Sequence, residues 1–207
     1  MKRLPDDRER RTGMLTVLAH RPSPPDLLTS TTPVLHCCET WHVRAREGVL
    51  LPNRPEQPET WAAIRSLETE LLEPLEKRYG IVTLTYGFAG PELVAAVQAR
   101  ASAGGWLPNI TPHGDQHAGH ELNARGNRIC KRDGIAVDLR VPGQSSLDVA
   151  KWVIDNLRFD RIYLYAAERA FHMSWAPDPV GQVVEMCIAA SGAQYPKVVV
   201  KGRREAD

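Results

Sequence analysis

Three of the protein's 7 histidines crowd into Pro112-His113-Gly114-Asp115-Gln116-His117-Ala118-Gly119-His120-Glu121. Imidazoles at that density in a polar, glycine-containing stretch are suited to a shared task, and metal coordination is the task that neutral histidine performs most often. His117 and His120 lie on one face if the segment makes a helical turn. Asp115 and Glu121 could then accept hydrogen bonds from their far ring nitrogens, as carboxylates do around zinc histidines. An ordinary polar loop accounts for the same composition, so the cluster alone leaves both readings open. In Gly134-Ile135-Ala136-Val137-Asp138-Leu139 an aspartate interrupts an apolar strand, and a carboxylate there needs a compensating positive charge that a metal would supply. His172 interrupts a second apolar strand, Ala170 to Trp175; alone, such a histidine is more often a satisfied core residue than a ligand.

These side chains need a scaffold. With 207 residues, 43% of them hydrophobic and 25% charged, the composition is that of one globular domain. Residues 1–33 combine a charged start with Pro22, Pro24 and Pro25 and read as a loose arm; residues 34–200 read as a single α+β metal-binding domain, and 201–207 as a charged tail. From Pro58, apolar residues at Trp61, Ile64, Leu67, Leu71 and Leu75 recur at helical spacing. Pro74 should kink that helix or begin another, and Gly80 stands where a left-handed cap would end it. Ile81 to Tyr86 predicts a strand, and Pro91-Glu92 opens a helix through Ala99. Gly134 to Val141 predicts a strand. Ser145 with Asp148 resembles a capping box for a helix that buries Leu147, Ala150, Ile154 and Leu157. Strands at Asp160 to Tyr165 and Ala170 to Trp175 and a hairpin of Gly181 to Ala189 with Tyr195 to Val200 complete an α+β fold, a small central antiparallel sheet with flanking helices.

Composition narrows the partners. Lys+Arg 26 against Asp+Glu 25 leaves a formal net charge of +1, which offers no broad basic face for nucleic acid. No run approaches the roughly 20 apolar residues of a membrane span, and the charged opening residues precede no signal-like apolar run, so a cytoplasmic protein is expected. The four cysteines, Cys37, Cys38, Cys130 and Cys187, form no secreted disulfide framework. The segment His36 to His42 lacks the Cys-x-x-Cys spacing of a structural zinc site, although Cys37 or Cys38 could reach the main site if that segment folds over it. Cys130 could ligate a metal through its thiolate, although a small buried hydrophobe is the commoner role of such a cysteine.

The three elements together resemble the zinc D-Ala-D-Ala metallopeptidases of the hedgehog/DD-peptidase fold, over about the middle three-fifths of the chain. That family's Ser-x-His-x-x-Gly-x-Ala-x-Asp motif is matched in its second half by Gly134, Ala136 and Asp138. His172-Met173-Ser174 is similar to the family's last ligand strand, and Thr85 to Leu93 echoes its Ser-Gly-Tyr-Arg-Ser-Pro-Glu-Leu segment. The resemblance implies Zn2+ held by His117 or His120, Asp138 and His172. Lys131 stands where the family's first histidine would be, which requires the segment Glu121 to Asp133 to be inserted. The family's substrate-binding arginine falls at Ala89 and its base at Arg169. Replacements are therefore expected: Glu168 or Glu121 as base, and Arg132 or Arg169 as cation. Tyr86, Tyr163, Tyr165 and Trp175 could line the cleft, with core packing as their simpler role.

The implied activity is zinc-assisted hydrolysis of an amide bond in a small-molecule or peptide-like substrate. Three protein ligands leave zinc a position for water, whose pKa falls from 15.7 toward about 7. The departures from the family pattern keep two alternatives in view: a non-peptidase metalloenzyme in specialised metabolism or nucleotide modification, and a non-catalytic binding module.

Overall fold

The computed structural model describes residues 53–102, 116–189 and 194–200. The arm 1–33, His113, Asp115, the cysteine pair at 37 and 38 with its flanking histidines, and the tail 201–207 lie outside the described residues.

Helix α1 (Pro58–Leu67) runs into one π-helical turn (Glu68–Leu72) and then α2 (Glu73–Tyr79). The expected break at Pro74 takes this form for a steric reason. Proline has no N–H to donate and its ring collides with the carbonyl four residues back, so a wider turn places it in the first turn of a new helix. The apolar stripe survives the change of pitch, with Ile64, Leu67, Leu71 and Leu75 wholly buried. Gly80 ends α2 with φ +83 but ψ −115, a positive-φ stop that is not the left-handed cap expected.

Strands β1 (Thr83–Tyr86), β2 (Ile135–Arg140), β3 (Arg161–Leu164), β4 (Phe171–Trp175), β5 (Gln182–Ile188) and β6 (Gln194–Val200) form one sheet in the order β1-β2-β4-β3-β5-β6. Four neighbouring pairs are antiparallel, whereas β3 and β5 run parallel. The sheet is therefore mixed, which corrects the antiparallel expectation: β4 inserts between β2 and β3, and the connection from β4 to β5 passes β3 to place β5 on its far side, parallel to it. Ile135, Val137, Leu139, Phe171, Met173, Ile162 and Val183 face one way into the main core, where α1 lies against β2 and β4. Helix α4 (Ser146–Asn156) lies against β3. It buries Ser146, Val149, Ala150 and Val153, while Leu147 is 44% exposed. Ala150 is buried and Ile154 and Leu157 pack half-buried against the core as expected, whereas Leu147 is turned outward and Val149 and Val153 take the sheet side. Ser145 occupies the N-cap position with extended backbone, yet its side chain makes no capping bond.

Gly134 shows why a glycine precedes β2. Its φ is +95, and a Cβ there would overlap the Trp175 carbonyl oxygen, so only glycine lets the start of β2 approach β4 so closely. Helix α3 (Pro91–Ser102) follows the loop after β1. Its Leu93 and Val94 form a second, smaller cluster with Tyr86, Ala89 and Ala118. Among the described residues no helix is long and apolar enough to cross a membrane.

Glu68, in the π turn, is 2% exposed, and its Oε2 has no hydrogen-bond partner. Burial, and then the nearby Glu76 and Glu73, push its pKa up to about 8. The unfolded chain releases this proton near 4.5 and the folded one near 8, so the stabilising protonation is fully present below 4.5 and is lost as pH rises through 8. Glu68→Gln should accordingly exceed the native protein in urea stability at pH 9 by about 1–3 kcal/mol and match it near pH 5. A native unfolding midpoint that stays level between those pH values would rule this out.

Candidate metal centre

Strand register builds the centre as one lateral row. Asp138 on β2 pairs with His172 on β4, and His172 pairs with Tyr163 on β3. Side chains of laterally paired residues share a face, so Asp138, His172 and Tyr163 all point away from the main core. Tyr86 joins the row because β1 is irregular: Leu84 pairs with Leu139, but Tyr86 pairs with Asp138. The extra residue, Thr85, turns Tyr86 to the face opposite Leu84, as a bulge does. Thr85 Oγ1 donates to the Asp138 carbonyl at 3.2 Å and so fastens the bulge.

His117 comes down onto this row from a 3-10 turn (Gln116–Ala118). Its carbonyl accepts from Ala89 N–H at 2.9 Å, and its Nδ1–H donates to the Gly87 carbonyl at 2.9 Å. The Tyr86 ring meets the His117 ring edge to face at 4.5 Å, and Tyr163 meets His172 likewise at 5.1 Å. Both imidazoles are thus held by a ring, and His117 by two backbone bonds as well.

Three donor atoms converge. His117 Nε2 lies 3.3 Å from Asp138 Oδ1, His172 Nδ1 lies 3.1 Å from the same oxygen, and the two nitrogens are 3.2 Å apart. Donors roughly 2.0–2.1 Å from a tetrahedral zinc stand about 3.3–3.4 Å from one another, so this triangle has the size of one face of such a site. The chemistry of the donors also fits. A carbonyl only accepts, so the bond to Gly87 fixes the proton of neutral His117 on Nδ1 and leaves a lone pair on Nε2. That lone pair faces a carboxylate oxygen, an arrangement that requires a positive charge between or beside them. Burial alone would raise the Asp138 pKa; with no ion bound, a His117 protonated on both nitrogens and hydrogen bonds from His117 and His172 hold it well below the usual carboxylate range, and a bound cation would take the place of that proton. Asp138 is therefore an anion ready for a cation, its side chain 19% exposed against 2% for His117.

Of the two loop histidines, the fold brings His117 to the row. His117, Asp138 and His172 are brought together, whereas His120 points elsewhere: its Nε2 accepts from Gly134 N–H at 3.4 Å, and burial and then Arg128 lower its pKa. The buried Cys130 is not part of the converging group.

The expected base and cleft residues fare unevenly. Glu121 is fully buried, and its Oε1 accepts from the backbone N–H of Glu56 and Gln57, both at 3.1 Å. It thereby ties the two residues before α1 to the segment that follows His117, while Gln57 itself makes no side-chain capping bond. Glu121→Ala should cost about 2 kcal/mol of urea stability while leaving zinc content unchanged; loss of zinc with stability intact would reverse that assignment. Glu168 is exposed on the turn between β3 and β4. Arg132 is paired with the buried Asp160, its Nη2 2.6 Å from Oδ1. Trp175 stands three residues after His172, on the opposite face, and packs on the main core. Arg169 covers the Tyr165 ring at 5.2 Å, past the end of β3. Tyr86 is buried in the smaller cluster, with its ring against His117.

Asp160 is the residue whose role was hidden in the sequence. Wholly buried, it accepts from Gln116 Nε2 at 2.9 Å, from Val180 N–H at 3.1 Å and from Arg132. Gln116 also donates to the Asp133 carbonyl at 3.0 Å, so the residue before His117 is pinned from two sides. Nothing in the local sequence marks Asp160, since its partners come from distant segments. No family model matches the chain, and neither curated proteins nor solved structures match it.

Proposed function

We propose that the protein is a zinc-dependent hydrolase that cleaves an amide bond of a small peptide-like substrate, a divergent relative of the zinc D-Ala-D-Ala metallopeptidases with the hedgehog/DD-peptidase fold. The observation that carries the reading is the convergence of His117 Nε2, Asp138 Oδ1 and His172 Nδ1 within 3.3 Å of each other, with the His117 lone pair turned toward the carboxylate. Two neutral imidazoles and one carboxylate leave a divalent ion with net positive charge, and a zinc ion supplies Lewis acidity toward a substrate carbonyl and toward water. The chain's own residues do the rest. Gly87 fixes the tautomer of His117, Tyr86 and Tyr163 hold the two rings, and Asp138 supplies the negative charge that retains the ion. Glu168, exposed on the turn before β4, is the carboxylate that remains available as a proton acceptor, since Glu121 is buried and held by the backbone N–H groups of Glu56 and Gln57.

A second reading keeps the metal and drops peptide cleavage. It is favoured by the position where the family has its arginine, Ala89, which is buried and bonded through its backbone to His117, and by Arg169, which lies on Tyr165. The test is hydrolysis of N-acetylated and free D-Ala-D-Ala dipeptides by the full chain, zinc-loaded, chelator-stripped and zinc-restored. Amine release that vanishes on stripping and returns with zinc supports the hydrolase. Stoichiometric zinc without any release would favour the second reading, and a chain that takes up no zinc would leave a binding module.

A further inference from the structure

The metal-centre row continues past Tyr163. Tyr163 on β3 pairs with Val184 on β5, and Val184 pairs with Val198 on β6, so both valines share the face that carries Asp138 and His172. Met186 and Ile188 follow Val184 on that face at the two-residue spacing of a strand, and Pro196 joins them as the partner of Met186. Val184 is buried yet belongs to neither apolar cluster, as a position turned away from the main core requires. The other side of the same two strands carries Glu185 paired with Lys197, and Cys187 paired with Tyr195. The usual pattern of a sheet covered on one side is thereby inverted. Helices α1 and α4 pack on the main-core side of β2, β3 and β4, so the outer face should be polar, but on β5 and β6 it is valine, methionine, isoleucine and proline. Ile188 is 69% exposed and Val198 48%. One exposed valine means little, whereas an apolar strip in register with the candidate centre marks a binding face.

We infer that this strip is a substrate shelf, which holds a large apolar side chain of a peptide whose scissile amide lies at the metal centre. Val184 and Val198 stand two and three strand spacings from His172, roughly 9.5 and 14 Å. An extended peptide rises about 3.3 Å per residue, so the apolar side chain belongs roughly three or four residues from the scissile bond. Cleavage before a C-terminal D-Ala leaves one residue on the far side of that bond, so the shelf takes the acyl side. The substrate class is therefore an oligopeptide with a hydrophobic residue upstream, of which a dipeptide fills only the centre. The inference rests on the hydrolase reading for the place of the scissile bond, but the shelf itself needs no ion.

The test is a titration of the full-length protein, labelled with 13C in its methionine, isoleucine and valine methyl groups, both metal-free and zinc-loaded. The probes are N-acetyl-Leu-Leu-Gly-D-Ala-D-Ala and N-acetyl-Gly-Gly-Gly-D-Ala-D-Ala. The Met186, Ile188 and Val198 methyl signals should move saturably with the leucine peptide, which should bind about ten-fold more tightly than the glycine peptide, the gain expected from covering one leucine side chain. Val198→Lys should lose that preference, whereas Tyr195→Lys, on the opposite face, should keep it. Unmoved methyl signals, equal affinity for the two peptides, or an unchanged preference in Val198→Lys overturns the inference. Loss of the preference in both variants would implicate the outer edge of β6 in place of its face and overturns it too, as do methyl signals that shift with protein concentration alone, which would give the face to a second copy of the chain. Should Val198→Lys fail to fold, Ile188→Lys takes its place. Because the metal-free titration does not depend on turnover, leucine binding without cleavage in the zinc form fails the hydrolase reading alone, and cleavage without the preference fails the shelf alone.

Discussion

Asp138→Ala should abolish zinc binding by the purified protein. The aspartate contributes the anionic donor of the triangle, and its Oδ1 lies within 3.3 Å of both histidine nitrogens. Losing a hydrogen-bonded supporter of a metal ligand costs roughly 10–100-fold in affinity, and losing a ligand costs more, so a drop beyond about 10³-fold is expected. Thermal unfolding reads the same event. An ion bound only by the folded chain stabilises it by about 4 kcal/mol at a thousand times its Kd, so added zinc should raise the native Tm by several degrees and leave the Asp138→Ala Tm in place. His117→Ala and His172→Ala should behave alike, whereas His120→Ala keeps the zinc response, because His120 is turned toward Gly134. A zinc-dependent Tm shift retained in Asp138→Ala would contradict the ligand assignment.

Asp160→Ala should produce the second large effect, and on two quantities at once. Its removal leaves the Arg132 guanidinium, the Gln116 amide and the Val180 N–H without their shared acceptor. Breaking a buried pair by deleting one partner typically costs about 3–5 kcal/mol, and Arg132 is 33% exposed, so the lower end of that range is expected because water can reach part of the guanidinium. The network also pins Gln116, next to His117, so zinc affinity should fall roughly 10–100-fold, as for other supporters of metal ligands. Asp160→Asn keeps the acceptor oxygen but not the charge and should lie between native and alanine in both. Urea unfolding and competition against a chromophoric chelator measure the pair; native values of either in Asp160→Ala would break the proposed link between network and centre.

How much of this was written in the sequence depends on the range of the interaction. Helices and strands with strong local periodicity fell where their patterns put them, because burial of one face is a local property of spacing. Asp138 and His172 were legible for a related reason: a charged or titratable residue amid apolar strand neighbours conflicts with its surroundings and so marks itself. The choice between His117 and His120 was not legible, since it depends on Gly87 and Ala89 holding a 3-10 turn from the far end of β1. Glu121 misled because a carboxylate beside histidines looks like a base, whereas its partners are backbone N–H groups more than sixty residues away. Tyr86 reached the row only through a bulge, which the alternation of β1 does not reveal. The parallel pairing of β3 with β5 and the hub at Asp160 likewise depend on pairings between distant segments.

The central claim is that His117, Asp138 and His172 hold one metal ion, and X-ray absorption at the zinc edge of the full-length protein, loaded with one equivalent of zinc, tests it most directly. The account predicts imidazole nitrogen and carboxylate oxygen donors at roughly 2.0–2.2 Å, with two imidazoles per zinc and no sulfur. A sulfur shell near about 2.3 Å would assign the ion to cysteine instead, and zinc surrounded by water oxygens alone would mean that the converging donors do not form a metal centre.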